Sequence, residues 1–130
     1  MSKENVEVVT GLLKAWMTGD RSAARAAWDR NAVMILPVID SSVLVGLPSI
    51  ERAVESWRKS WETWRFEVDE VIDAGEHVVV IGHQRAEGKE SGAEVELLSC
   101  GVWSLRNAKV VRAEFFGTKA EALQAAGLET

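Results

Sequence analysis

The sequence predicts an α+β fold, a curved antiparallel sheet wrapped around one long helix and closed at its open end by N-terminal helices. Three observations predict it. Apolar residues recur at helical spacing through the first half of the chain and then change to a period of two near Trp64. Four alternating stretches follow, joined only by short turn-like links, which favours an antiparallel meander. Ahead of them, "SIERAVESWRKSWETWRF" places Ile50, Ala53, Val54, Trp57, Trp61 and Trp64 along one stripe, with charged residues opposite. That stripe must face something apolar, either an ordinary core or the wall of a cavity.

Residues 3–18 read as an amphipathic helix with Val6, Val9, Leu13, Trp16 and Met17 on one face, stopped by "TGD". Asp20 is placed to cap a second short helix, "RSAARAAW", and Asn31 precedes an extended run, "AVMILP". "VIDSSVLVGLP" reads as a loop. Ser49, after Pro48, is expected to cap the Trp-rich helix, which should fray near Thr63. "WRFEVDEVID", "HVVVIGHQRAEG", "EVELLSCGVWSLR" and "KVVRAEFFG" are the four strands, with Gly82 and Gly101 marking bends or bulges. "TKAEALQAAGL" closes the chain as a helix with Ala120, Leu123 and Leu128 inward.

With 130 residues, 47% of them hydrophobic, the chain fits one domain spanning residues 1–130 with a core of its own. Its formal charge of -5 is spread along the sequence without a basic cluster, which argues against nucleic acid as a partner. The apolar runs are too short to span a bilayer and the start lacks the pattern of a secretory leader, so a cytoplasmic location is expected, with no membrane partner. Cys100 is the only cysteine, and His77 and His83 lie six positions apart on one strand, so neither a disulfide nor a metal site is expected, and no cofactor.

The element order, together with "LLKAWMTGD", "GLPSIERAVESW", "GKESGAEVE" and the closing "KVVRAEFFGTKAEALQAAGL", resembles the SnoaL-like branch of the nuclear transport factor 2-like superfamily over essentially the whole chain. The resemblance implies the cystatin-like cone, a homodimer packed through the outer sheet face, and a function in the range of isomerases, cyclases, epoxide hydrolases or non-catalytic binding proteins. Ketosteroid isomerases of this fold use a tyrosine and two aspartates; the matching positions here are Leu12, Leu36 and about Gly101, and the chain has no tyrosine. Limonene epoxide hydrolase-like members use an Asp-Arg-Asp set with a tyrosine and an asparagine; the matches here are Gln84, Gly82 and Phe115, then Met34 and Leu36. A histidine and an aspartate common in other relatives fall on Gly101 and Thr118. Both known catalytic sets are therefore missing.

The register that follows points Val78, Val80, Gly82 and Gln84, then Leu97, Ser99, Gly101 and Trp103, then Ala113 and Phe115, into the cone. Gln84 and Ser99 either orient a ligand, satisfy each other or bind a buried water. A slip of one residue would instead bring His83 and Arg85 inward as a general base beside a cation. Asp40, in the loop that rims the cavity in such proteins, is either a second candidate base or a solvated cap. Trp16, Trp57 and Trp61 with Phe115 either pack as core or form an aromatic box, with Met34, Ser99 and Trp103 completing a surface for a small hydrophobic or polycyclic molecule. Trp64 seals the mouth or the hairpin. Cys100 and Glu114 fall on the outer face, the thiol without an adjacent base and the carboxylate within reach of Arg112.

Overall fold

The computed structural model describes residues 2–36 and 43–128. Its elements run α1 (Ser2–Thr18), α2 (Arg21–Ala27), β1 (Trp28–Ile35), β2 (Val43–Val45), α3 (Leu47–Lys59), β3 (Trp61–Ala74), β4 (His77–Gly88), β5 (Glu94–Arg106), β6 (Lys109–Phe116) and α4 (Lys119–Ala125). α1 buries Val9, Leu12, Leu13 and Ala15 and ends at Gly19, whose φ of 76° turns the chain. The Asp20 carboxylate then accepts from the Ala23 amide at 3.1 Å and opens α2.

The six strands form one sheet in the order β2-β1-β6-β5-β4-β3. β3 to β6 are the expected antiparallel meander, but β1 lies parallel to β6, with Met34 opposite Ala113, so the sheet is mixed. Register shifts in β3 between Trp61 and Thr63, and again between Val68 and Glu70, bend the sheet at that edge. α1 and α3 pack on one face, where Val9, Leu12, Leu47, Ile50, Val78, Val80, Trp103 and Val110 make the main core. α4 covers part of the other face over Val79, Ile81, Cys100 and Val102.

Five local expectations are corrected. α3 is capped by Gly46, at φ 88°, and begins with Leu47 and Pro48; Ser49 lies inside its first turn and instead accepts from Arg52 at 3.4 Å. The helix ends at Lys59, because after Ser60 the chain is already extended, so Trp61 and Trp64 belong to β3. The stretch expected to be a loop contains β2, and β1 starts four residues early, at Trp28. In α4 the inward residue is Ala122, fully buried, while Ala120 is exposed; Leu123 and Leu128 do pack on the sheet.

Candidate functional site

The three clustered indoles come from a corner. α3 delivers Trp57 on its last turn, Ser60 reverses the chain, and β3 starts with Trp61 and carries Trp64 three residues on. The Trp57 and Trp64 indole N–H groups both donate to Gln84 Oε1, each at 2.8 Å, and Trp57 meets Trp61 edge to face with centroids 5.5 Å apart. Two donors on one oxygen fix which end of the amide is which. They leave the Gln84 Nε2 hydrogens without an acceptor among the described residues.

Gln84 sits opposite Phe66 on β3 and Leu97 on β5, one step along the sheet from Val68, Gly82 and Ser99. Trp57, Val68 and Leu97 are each about 40% exposed, so this end of the inner face is open. None of these neighbours moves a proton near neutral pH. Gly82 is required here: a Cβ would run into the Glu67 carbonyl oxygen and stand 2.9 Å from the Phe66 ring. Ser99 is buried, and its hydroxyl makes no bond to Gln84 or to another described residue; the mutual pairing considered from sequence is not formed, Ser99 lying opposite Gly82 and Gln84 opposite Leu97.

Deeper in, the cone is filled by the chain itself. Trp16, Trp28 and Trp103 form a triangle with centroids 5.7–6.1 Å apart, and Phe115 meets Trp103 edge-on at 5.6 Å. Met34 and Trp103, expected to touch a ligand, are corrected to core, being 4% and 1% exposed. The expected box of Trp16, Trp57, Trp61 and Phe115 is divided: Trp16 and Phe115 join the deep cluster, while Trp57 and Trp61 stay at the open end. Trp28, not singled out in the sequence, holds the deep cluster together. Its place after "RSAARAA" reads as a helix end, and only its membership of β1 aims it inward. Gly101 makes room for this cluster, since a Cβ there would meet Trp103 Nε1 and the Phe115 ring at 2.9 and 3.0 Å.

His83 is on the opposite face, and its candidacy as a base inside the cone is corrected. Alternation along β4 sends Val78 and Val80 to the inner core and Val79 and Ile81 to the outer one, and His83 follows the latter. Its Nδ1 lies 2.9 Å from Asp69 Oδ2, with Glu67 and Glu96 at 3.4 and 4.0 Å from Nε2. Arg85 pairs with both glutamates. The Asp69 hydrogen bond raises the His83 pKa above 6.5, against the cost of burial and with help from the charges of Asp69, Glu96 and Glu67. Cys100 is fully buried under α4, and burial pushes its thiol pKa up, which leaves it inert as a nucleophile. Arg112 pairs directly with Glu114 at 2.9 Å. Asp40 lies outside the described residues. Among those described, no three His, Cys, Asp or Glu side chains gather as a metal site, and no helix is long and apolar enough to cross a membrane.

The profile of the SnoaL-like domain matches residues 9–113, and the chain belongs to that family. A search of curated proteins returns no match. Among solved structures, Bal32a from a soil-derived mobile gene cassette is similar with a TM-score of 0.82 at 19% identity, over 95% of this chain and 96% of its own. An NTF2-like protein of unknown function from Burkholderia pseudomallei gives 0.78 at 21%, over 93% and 95%. TerC, co-crystallised with polyporic acid, gives 0.77 at 16%, over 95% and 98%. These likenesses establish the shared NTF2-like fold.

Proposed function

We propose that this SnoaL-like domain binds a small, flat, largely apolar molecule at the open end of its inner face, with a ligand oxygen accepting from Gln84 Nε2. The observation that carries this reading is the pair of indole N–H groups on Gln84 Oε1. They hold the amide in one orientation before any ligand arrives, so its remaining hydrogens are aimed at no entropic cost to the complex. Trp57, Val68 and Leu97 supply exposed apolar surface beside that donor, the combination expected of a small-molecule site. TerC's complex with polyporic acid supports a small-molecule role on this fold.

Isomerase, cyclase or epoxide hydrolase chemistry would use the same donor to polarise a carbonyl or epoxide oxygen, and would also need a proton carrier. The described neighbours of Gln84 include none, which favours binding over turnover. The dimer belongs to the same reading: the half of the outer face beyond α4 carries the His83 network and Leu98, 55% exposed, as a surface for a second copy.

The test is intrinsic tryptophan fluorescence titrated with steroids, aromatic polyketides and terpene epoxides. Saturable quenching is expected for at least one class, weakened at least about tenfold in Gln84→Leu, a loss on the scale of one hydrogen bond. Circular dichroism checks that the variant is folded. No response from any class would instead support a second reading, a dimeric scaffold whose cone is filled by Trp16, Trp28 and Trp103.

A further inference from the structure

The α1–α2 corner and the C-terminal half of α3 bound a cleft of about 620 Å³ whose lining does not include Gln84. A neighbouring recess of about 380 Å³ shares Gly19, Arg21, Glu55, Arg58 and Lys59 with it and extends to Trp61 and Trp64. The charged lining comprises five cations, Arg21, Arg25, Arg52, Arg58 and Lys59, and four carboxylates, Asp20, Glu51, Glu55 and Glu62. In a chain of net charge -5 this region carries one positive charge in excess.

The partners are unevenly shared. Asp20 caps α2, Glu51 holds Arg25 at 3.0 Å, and Glu55 holds Arg21 at 3.0 Å and Lys59 at 3.5 Å. Arg52 donates to Ser49. Arg58 has no carboxylate partner among the described residues although it is half-buried, with its guanidinium lying over Gly19. The buried Trp61 indole N–H in the adjoining recess likewise has no acceptor among them. A guanidinium partly withdrawn from water and an orphaned N–H are both arrangements that a bound anion relieves. Ala15, Trp16, Ala24 and Val54 give the cleft an apolar wall beside this charge.

We propose that the cleft binds a small organic carboxylate, its two oxygens paired with the Arg58 guanidinium and its apolar body against Trp16 and Val54. The single excess charge suits a monoanion better than a phosphate dianion, and the planar fork of arginine matches a carboxylate. Trp61, in the adjoining recess, reports on the bound carboxylate through its indole N–H signal. The site excludes Gln84 but borders it through Trp61 and Trp64 of the adjoining recess.

Benzoate is the probe, followed by calorimetry and by NMR of the arginine Nε–H and indole N–H signals, with neutral benzamide as its control. Benzoate is expected to bind saturably, shift the Arg58 and Trp61 signals and leave benzamide without effect. Arg58→Gln should weaken it at least about tenfold and Arg58→Lys less, the difference between a lost and a misshapen ion pair. Gln84→Leu, which touches the cleft only through the indoles, should weaken it less than Arg58→Gln does. The proposal is overturned if benzoate does not saturate, if benzamide binds equally, or if folded Arg58→Gln binds like the parent. It is also overturned if Gln84→Leu abolishes binding, which would place the ligand on the inner face. The wild-type signal shifts decide the matter should Arg58→Gln fail to fold.

Discussion

His83 shows how one side chain is judged by its partners rather than by its type. Its imidazole is 17% exposed in a ring of carboxylates, and Asp69 favours the protonated form. Because the folded pKa is raised, the contribution to stability is complete below about 6.5, the unfolded value, and is lost as pH rises through the folded value. NMR titration should place His83 above 6.5 in the parent and nearer to 6.5 in Asp69→Asn. Urea midpoints should fall across that rise in the parent more than in Asp69→Asn. Equal pH profiles would show that the contact at 2.9 Å carries no linkage. The choice between His83 and Gln84 was open in the sequence because alternation marks two faces without saying which is inner. It was decided by α1 and α3 covering Val78 and Val80 and by α4 covering Val79 and Ile81.

At the level of elements, strands were more legible than helix ends. The meander is written in period-two alternation and short polar links, and each of β3 to β6 includes the expected stretch, apart from the last residue of "KVVRAEFFG". Helix boundaries depend on backbone angles: Gly46 at φ 88° starts α3 where a serine was expected, and Trp61 and Trp64 fit a helical stripe while lying on a strand. The contacts between Gln84 and the two indoles join residues far apart in sequence, and no local pattern encodes them. The β3–β4 pairing makes its own demand. Gly82→Ala is expected to destabilise by about 1–3 kcal/mol, because the new methyl meets backbone as well as the Phe66 ring. Chemical denaturation checks it, and a change within error would mean that β3 yields without cost at its bulge.

For the whole molecule, the sheet separates two apolar layers of unequal size, the larger one built around Trp103. Trp103 touches Trp16, Trp28 and Phe115, which come from α1, β1 and β6, so its removal leaves a void lined by three other elements. Trp103→Ala should cost about 3–5 kcal/mol. A thermal melt and near-ultraviolet circular dichroism would show it, and a loss below about 1 kcal/mol would mean that the indoles collapse into the space. The fold class was readable because element order and periodicity agree over the whole chain. The open and filled parts of the cone were not, since core and pocket draw on the same residue types.

The parallel pairing of β1 with β6 has a kinetic consequence. Trp28 meets Val110 only after nearly the whole chain has been made, whereas β3 to β6 can zip together through neighbouring hairpins. The meander should therefore nucleate folding, with β1 docking after the barrier. In a chevron experiment Val80→Ala should chiefly slow folding and Met34→Ala chiefly speed unfolding. If Met34→Ala retards folding as much, the sheet closes in one step. In the first case β1, with β2 beside it, is the last part of the sheet to be added and the first to be lost when the molecule unfolds.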